Sequence, residues 1–184
     1  ALVRLWKSAG QSATGFVRAG DTLQSTAPEE AIAFYRRGLL LDPQSAEAWS
    51  GLARLYRAGG KEDLALDACA QVVKLAADAQ DRAAAHAARG EILAARRHWE
   101  EASSEMGAAV DLMPGDGGYR LSYGWYLAQA GADPQLARSQ LLEAARLLRT
   151  DPWPRLYLAI VAFAQAEYQT ALDEAHAAAG LDHD

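Results

Sequence analysis

Large apolar residues recur every three or four positions in the stretch 46–58, and this spacing predicts a helix with one apolar face. The residues at i, i+3, i+4 and i+7 are Trp49, Leu52, Ala53 and Tyr56. Gly59 and Gly60 follow, as glycines do where a helix ends. A second stretch with helical periodicity then has as its apolar side Leu64, Ala65, Ala68, Cys69, Val72, Val73 and Leu75. Residues 46–79 therefore predict two amphipathic helices that pack against each other across a tight turn.

The same helix-turn-helix pattern recurs along the chain. Each second helix has an alanine near its start, and these alanines are Ala31, Ala65, Ala102, Ala137 and Ala171. They lie 34, 37, 35 and 34 residues apart, and the longer intervals are explained by an insertion at 80–82 and an extra residue near Asp133. No stretch alternates with period two for long enough to predict a strand, so we expect an all-helical chain. Residues 1–11 predict a packing helix or the end of a truncated element.

Local sequence signals mark several helix ends. Thr26 and Glu29 have the spacing of a capping box, and Pro28 lies between them, where it favours the first turn of a helix. Further along, Asp151 is predicted to cap a helix whose first residue is Pro152.

The repeated unit resembles the tetratricopeptide repeat, a helix-turn-helix of about 34 residues. The family's large, small and aromatic positions are occupied in the second repeat by Trp49, Leu52, Ala53, Tyr56 and Ala65. In the third repeat, the run from Trp99 to Ala102 resembles the family's aromatic-Glu-Glu-Ala turn. The resemblance covers residues 12–184 and divides them into a single array of repeats at about 12–45, 46–79, 83–116, 117–151 and 152–184.

This resemblance implies an all-α fold, a right-handed superhelix (α-solenoid) of stacked antiparallel helix pairs. The first helices of the pairs would line a concave groove, and each repeat would touch only its neighbours. The family binds peptides and protein segments and rarely performs chemistry.

The composition limits the classes of partner. The formal net charge is −6 and the pI about 5.2, an acidic balance that disfavours nucleic acid and a polybasic membrane anchor. No apolar run is long enough to span a bilayer. The single cysteine, Cys69, excludes a disulfide within these 184 residues. We expect a bacterial protein located in the cytoplasm, or in the periplasm if a leader has been removed.

No pattern of residues points to catalysis. The four histidines do not have the spacing of a metal site; they are His86, His98, His176 and His183. Cys69 occupies a core position of its repeat, which favours a small buried apolar residue over a nucleophile. The glycine-rich segment 115–118 lacks the Lys-Ser/Thr of a phosphate loop. We therefore expect no enzyme activity, no metal and no cofactor.

The resemblance places candidate binding residues on the inner faces of the first helices. They are Ser50, Arg54, Arg57, Glu91, Leu121, Trp125, Gln129, Leu156, Ile160 and Phe163. Chaperone-binding members of the family hold a peptide's terminal carboxylate with a lysine and an asparagine, which are replaced here by Ser50 and Arg54 in the second repeat. A chaperone-tail adaptor is therefore disfavoured. The inner faces change from polar, with arginines, to aromatic and aliphatic towards the C-terminus.

The hypothesis favoured by the sequence is a non-catalytic scaffold that binds a protein segment or peptide in this groove. Two alternatives remain open. The apolar C-terminal repeats could form the interface of a homo-oligomeric assembly unit, or the chain could be the repeat region of a larger secretion or regulatory protein. In the groove itself, Arg54 and Arg57 would pair with an acidic segment of a ligand or with Glu91 of the next repeat.

Overall fold

The computed structural model describes residues 12–131 and 133–181, so the packing helix predicted for residues 1–11 lies outside the described residues. Within these ranges the chain forms ten α-helices and no strand, which confirms the all-helical prediction. The first five helices are α1 (Ala13–Leu23), α2 (Pro28–Leu41), α3 (Ala46–Ala58), α4 (Glu62–Leu75) and α5 (Ala79–Ala95). The second five are α6 (Trp99–Leu112), α7 (Gly117–Ala130), α8 (Pro134–Leu147), α9 (Trp153–Ala164) and α10 (Tyr168–Leu181).

The helices form two compact units that divide between Arg89 and Gly90, inside α5. In the first unit, α1 packs against α2, α2 against α3, and α3 against α4, while α1 also touches α3. In the second unit, α6 to α10 pack each against the next, and α7 also touches α9. Short turns join these neighbours, so consecutive helices run antiparallel. This is the stacked arrangement of helix pairs that the sequence predicts.

The recurring alanines lie where the two helices of a pair approach each other. Four of them, Ala31, Ala65, Ala102 and Ala137, have no exposed surface, and Ala171 is 8% exposed. A larger side chain at these positions would hold the helices apart and leave gaps beside them, which a close-packed interior does not tolerate. The regular spacing of small residues in the sequence therefore reflects a packing requirement that each pair repeats.

The turns inside four of the pairs share one backbone conformation. A residue with left-handed φ ends the first helix in each of them, at Gly60 (68°), Arg97 (63°), Gly131 (65°) and Ala166 (60°). After Gly60, Arg97 and Ala166, the next backbone N–H donates back to the last turn of the helix, as in the bond from Lys61 to the carbonyl of Tyr56 at 2.8 Å. Glycine adopts this conformation freely, whereas Arg97 and Ala166 are strained by the crowding of Cβ.

Side-chain caps fix the starts of several helices. The hydroxyl of Ser45 accepts a hydrogen bond from the N–H of Ala48 (3.3 Å), and the carboxylate of Asp116 accepts one from Tyr119 (2.9 Å). The cap predicted at Thr26 is wrong, because α2 begins at Pro28 and its N-cap is Ala27, with no side-chain bond.

The second sequence signal for a helix start needs a smaller correction. The Asp151 carboxylate accepts a hydrogen bond from the N–H of Trp153 at 2.9 Å, but Pro152 lies just before the helix. The insertion at 80–82 lies within α5. It lengthens α5 to 17 residues, against 14 in α4 and α6. Arg82 in this added turn donates to the carbonyls of Ala76 and Ala77 (2.9 and 2.8 Å), which satisfies backbone groups at the end of α4.

Candidate functional site

Helix α9 exposes large apolar side chains along one face. The exposed residues are Trp153 (52%), Leu156 (37%), Ile160 (44%) and Phe163 (66%). They are spaced by three or four positions, which keeps them on the same side of the helix. The opposite side carries Leu158 and Val161, which pack against Leu141 of α8. We name the four exposed residues the apolar row.

An aromatic stack joins the apolar row to α7. The rings of Trp125 and Tyr157 lie 4.4 Å apart at 17°, and Tyr157 meets Trp153 at 5.8 Å and 49°. Burial, followed by the nearby charge of Asp151, raises the pKa of Tyr157. The predicted site residue Trp125 is thus held flat against α9 and borders the row. Sequence reasoning missed Tyr157, since it stands between Leu156 and Leu158 and nothing in the spacing distinguishes it from a core residue.

The remaining predicted residues of α7 differ in their surroundings. Leu121 is half-buried and packs against the cluster of Leu141, Leu158 and Val161, so it supports α9 from below. Gln129 is exposed. On the predicted inner face of α7, Leu121 therefore supports α9, Trp125 stacks on Tyr157 of α9, and the amide of Gln129 faces solvent.

Glu91 lies in α5 and is exposed, near two tyrosines of α7. Burial, followed by the charge of Glu91, raises the pKa of Tyr126. The pKa of Tyr119 is also raised, by burial first, then by the charge of Asp116 and then by that of Glu91. Glu91 therefore contributes negative potential to the side of α7 that carries these hydroxyls, whereas the apolar row has no such charge among its four members.

The three predicted residues in the first unit lie on α3. Ser50 is half-buried, whereas Arg54 and Arg57 are exposed. Burial and Asp21 raise the pKa of Tyr35, and the nearby charge of Arg54 offsets a small part of that rise. The alternative pairing of Arg54 and Arg57 with Glu91 stays a prediction.

Tyr35 reaches this face of the first unit from α2, through a gap that two glycines provide. Its ring is fully buried, and a Cβ added to Gly20 would come within 2.7 Å of it; one added to Gly51 would overlap it. The hydroxyl donates to the Asp21 carboxylate at 2.7 Å. The close approach needs glycine on both sides, since any other residue would displace the ring. A polar group of Asp21, Tyr35 and Arg54 results.

We expect Tyr35→Phe to be less stable than wild type at neutral pH and to approach the stability of wild type as the pH rises. Burial first, and then the hydrogen bond to Asp21 and its charge, raise the pKa of Tyr35 to about 12. The stabilisation linked to this raised folded-state pKa is complete below pH ~10 and is lost as the pH approaches ~12. The free energies of unfolding of wild type and Tyr35→Phe, measured in urea, should therefore converge across this window.

Asp21→Asn provides the control, because it keeps an acceptor for the Tyr35 hydroxyl and removes the charge. Its pH-dependent loss of stability should begin at the same pH as in wild type but be smaller and complete at a lower pH, since one cause of the raised folded-state pKa of Tyr35 is gone. A constant difference between wild type and Tyr35→Phe from neutral pH to pH ~12 would contradict the assignment.

The described ranges contain no group of three or more His, Cys, Asp or Glu side chains that could hold a metal ion. His98 instead approaches Glu101 of its own helix turn at 3.5 Å, with both side chains exposed. Cys69 is 2% exposed, which confirms its interpretation as a buried apolar residue. Among the described residues, no helix is long and apolar enough to cross a bilayer.

These features define an all-α helical-repeat protein with a surface-exposed apolar row. The sequence model of the tetratricopeptide repeat matches residues 22–92, from the end of α1 into α5. The prediction of tetratricopeptide repeats is thereby confirmed for this stretch. The finer division into five repeats stays a prediction. No curated protein sequence matches the chain.

Solved structures confirm the fold. The protein YrrB, described as a TPR protein with an unusual peptide-binding site, superposes with a TM-score of 0.86 at 20% identity, covering 100% of this chain and 93% of its own. Residues 41 to the end of MamA from Desulfovibrio magneticus superpose with a TM-score of 0.81 at 16% identity, covering 94% of this chain and 96% of that one. PilF of Pseudomonas aeruginosa superposes with a TM-score of 0.69 at 23% identity, covering 94% of this chain and 77% of its own. At such identities the likeness concerns the fold alone.

Proposed function

We propose that the chain is a non-catalytic scaffold that binds a protein segment along the apolar row. The observation that carries the proposal is the exposure of Trp153, Leu156, Ile160 and Phe163 side by side on α9, at 37–66% of their surface. A contiguous apolar patch of this kind on a protein surface marks an interaction site, because covering it removes apolar area from water. Tetratricopeptide repeats generally serve as protein-interaction scaffolds rather than as enzymes, which supports the same proposal.

The length and geometry of the row favour a segment over a small molecule. From Trp153 to Phe163 the row runs for about 15 Å, at a rise of about 1.5 Å per residue. A partner helix presents anchors at i, i+3 or i+4 and i+7 over a comparable length. The Trp125–Tyr157 stack adds a flat aromatic wall, and aromatic anchors dominate the binding energy of many interfaces. The peptide-binding site described for YrrB supports the proposal as an analogy of fold.

In the first unit, we propose a separate polar contribution from Ser50, Arg54 and Arg57. Both arginines are exposed, and a guanidinium group on a surface recognises carboxylates with defined geometry. An acidic stretch of the partner fits this face.

Replacement of Ile160 and Phe163 by Asp should abolish capture of the partner that the wild-type protein retrieves from its source cell. Two carboxylates in the row would have to be desolvated on binding, at a cost that the contact cannot offset. Captured proteins are identified by mass spectrometry with wild type and variant as baits.

The matched control is Leu142→Asp, which places the same charge on an exposed leucine (47%) of α8. It should capture the partner as wild type does. Both variants alter exposed residues, so circular dichroism and the urea midpoint should stay close to wild type. Full capture by the Ile160→Asp, Phe163→Asp variant would show that the row is not the binding surface.

A second candidate function, a homo-oligomeric assembly unit, is favoured by the outer helix of the last pair. Leu172 follows the alanine of α10 and is 49% exposed, whereas the residue in the same place of α2, Ile32, is only 6% exposed. Tyr168 is 64% exposed and meets Phe163 edge-on at 5.6 Å. Light scattering across a concentration range separates the two candidates, because an assembly unit must grow in mass and a segment-binding monomer must not.

A further inference from the structure

The first unit has an apolar cleft of about 570 Å³ on a face that the predicted groove does not use. Its lining residues come from three helices: Arg36, Leu39 and Leu40 of α2, Trp49, Leu52 and Tyr56 of α3, and Leu64 and Asp67 of α4. Leu52 and Tyr56 are buried and form the floor. Leu40 (72%) and Leu64 (43%) stand exposed at the two sides.

This cleft is distinct from the inner face of the same helix. On α3, the residues Trp49, Leu52 and Tyr56 centre on a direction about 130° around the helix axis from the centre of Ser50, Arg54 and Arg57, at about 100° per residue. Both faces belong to one rigid helix, but a ligand on one does not touch the other. The cleft is therefore a second surface, and a proposal for it stands independently of the apolar row.

Two charged side chains line the cleft, Arg36 on α2 and Asp67 on α4. The Nε of Arg36 donates to the hydroxyl of Tyr56 at 3.0 Å, and its guanidinium lies 5.8 Å from the centre of that ring. No carboxylate in the described ranges forms an ion pair with Arg36, and no cation there pairs with Asp67. One side of the cleft thus offers a restrained cation on α2 and the other an anion on α4, with apolar surface between them.

We propose that this cleft binds a segment of a partner protein that places a large apolar side chain between an acidic and a basic residue. The apolar side chain fills the space over Trp49 and Leu52, the acidic residue pairs with Arg36, and the basic residue pairs with Asp67. A volume of about 570 Å³ lies within the range of typical ligand sites, about 300–1,000 Å³. It accommodates one or two large side chains.

The charge pattern selects this occupant over others. A fatty acid or another apolar carboxylate pairs with Arg36 but forms no favourable contact with the exposed carboxylate of Asp67. A peptide segment carries both signs of charge on one short stretch and satisfies both groups. The restrained guanidinium of Arg36 is suited to this task, since it has already lost part of its conformational freedom to Tyr56.

The test uses a phage-displayed library of random linear peptides selected on the complete chain. Enriched peptides are then measured by titration against wild type and three variants. The first variant carries Leu40→Asp and Leu64→Asp, which alter exposed residues and leave the fold intact. The second exchanges the charges, Arg36→Glu with Asp67→Lys. The third, Ile160→Asp with Phe163→Asp, alters only the apolar row.

The proposal expects a group of enriched peptides in which a large apolar residue stands between an acid and a base. Their affinity should fall by about tenfold or more on the Leu40, Leu64 variant, a change of about 1.4 kcal/mol. It should stay unchanged on the row variant. The charge-exchanged variant should prefer peptides with the order of charges reversed.

Three results would overturn the proposal. The first is that all enriched peptides bind the Leu40, Leu64 variant as they bind wild type. The second is that no peptide responds to this variant while binding of laurate does, which assigns the cleft to a small apolar ligand. The third is that wild type self-associates and the Leu40, Leu64 variant does not, which would assign the cleft to a second copy of this chain. The proposed function of the row fails separately, through the capture experiment with Ile160 and Phe163.

Discussion

Leu141→Ala is expected to lower the free energy of unfolding of the second unit by about 2–5 kcal/mol. Leu142→Ala, the same change one residue further along α8, should alter it by less than about 0.5 kcal/mol. Leu141 has no exposed surface, whereas Leu142 is 47% exposed. The pair isolates burial from helix propensity, because both replacements exchange the same two residue types in the same helix.

The large effect follows from the neighbours of Leu141. Its side chain packs with Leu158 and Val161 of α9, and it lies so close to Gly124 of α7 that a Cβ there would come within 2.7 Å. Truncation leaves a cavity between three helices that cannot collapse freely, since α7 and α9 are held to each other by the Trp125–Tyr157 stack. Loss of apolar burial and the cavity both destabilise the unit.

Urea denaturation followed by circular dichroism measures the difference, with hydrogen exchange of α8 and α9 to assign it to the second unit. Leu121 and Tyr157 rest on the same cluster, so Leu141→Ala should also weaken binding of a partner at the apolar row, although Leu141 itself is buried. Equal losses of stability for Leu141→Ala and Leu142→Ala would refute the packing described for this cluster.

The repeated features of the fold could be predicted because each depends on short-range constraints. Periodicity of apolar residues reports which face of a helix is buried, and the alanines Ala65 and Ala102 mark close helix contacts with no exposed surface. The turn positions follow the same logic where glycine occupies them, as at Gly60 and Gly131. They were not evident where Arg97 and Ala166 adopt the same left-handed conformation, because packing of the whole pair overrides the local preference there.

The candidate site could be predicted only in part. The positions that face inward in a tetratricopeptide repeat include the exposed residues Leu156, Ile160 and Phe163, since exposure on a regular helix follows from position alone. Tyr157 could not be identified, because its role depends on stacking with Trp125, more than 30 residues away in the sequence. The spacing of residues within one helix carries no information about such a contact.

The cleft of the first unit was missed for a related reason. Its floor consists of Trp49, Leu52 and Tyr56, the residues that the sequence assigns to the core of the second repeat. A pattern that distinguishes only inside from outside treats them as buried. The cleft arises because the flanking helices α2 and α4 do not close over α3 at Leu40 and Leu64, which is a property of three helices together.

Gly51→Ala is expected to destabilise the first unit by about 1–3 kcal/mol, although alanine is the better helix former. A Cβ at Gly51 would overlap the ring of Tyr35. The ring cannot move aside, since on its other face a Cβ at Gly20 would already be within 2.7 Å and its hydroxyl is bonded to Asp21. Overpacking at this point therefore outweighs the gain of about 1 kcal/mol from helix propensity.

Gly180→Ala gives the opposite expectation from the same replacement. Gly180 lies within α10, and a Cβ there would meet nothing within 4 Å. The helix propensity of alanine then acts alone, and the variant should be as stable as wild type or more stable by up to about 1 kcal/mol. Measured side by side, the urea midpoint should fall for Gly51→Ala and stay unchanged or rise for Gly180→Ala.

A double-mutant cycle identifies the cause of the loss at Gly51. In the background Tyr35→Ala, the ring that Cβ would overlap is absent, so Gly51→Ala should become neutral or stabilising. The coupling between the two positions should then be about 1–3 kcal/mol, with the double variant more stable than the sum of the single losses predicts. Additive losses would mean that Tyr35 does not pass between the two glycines.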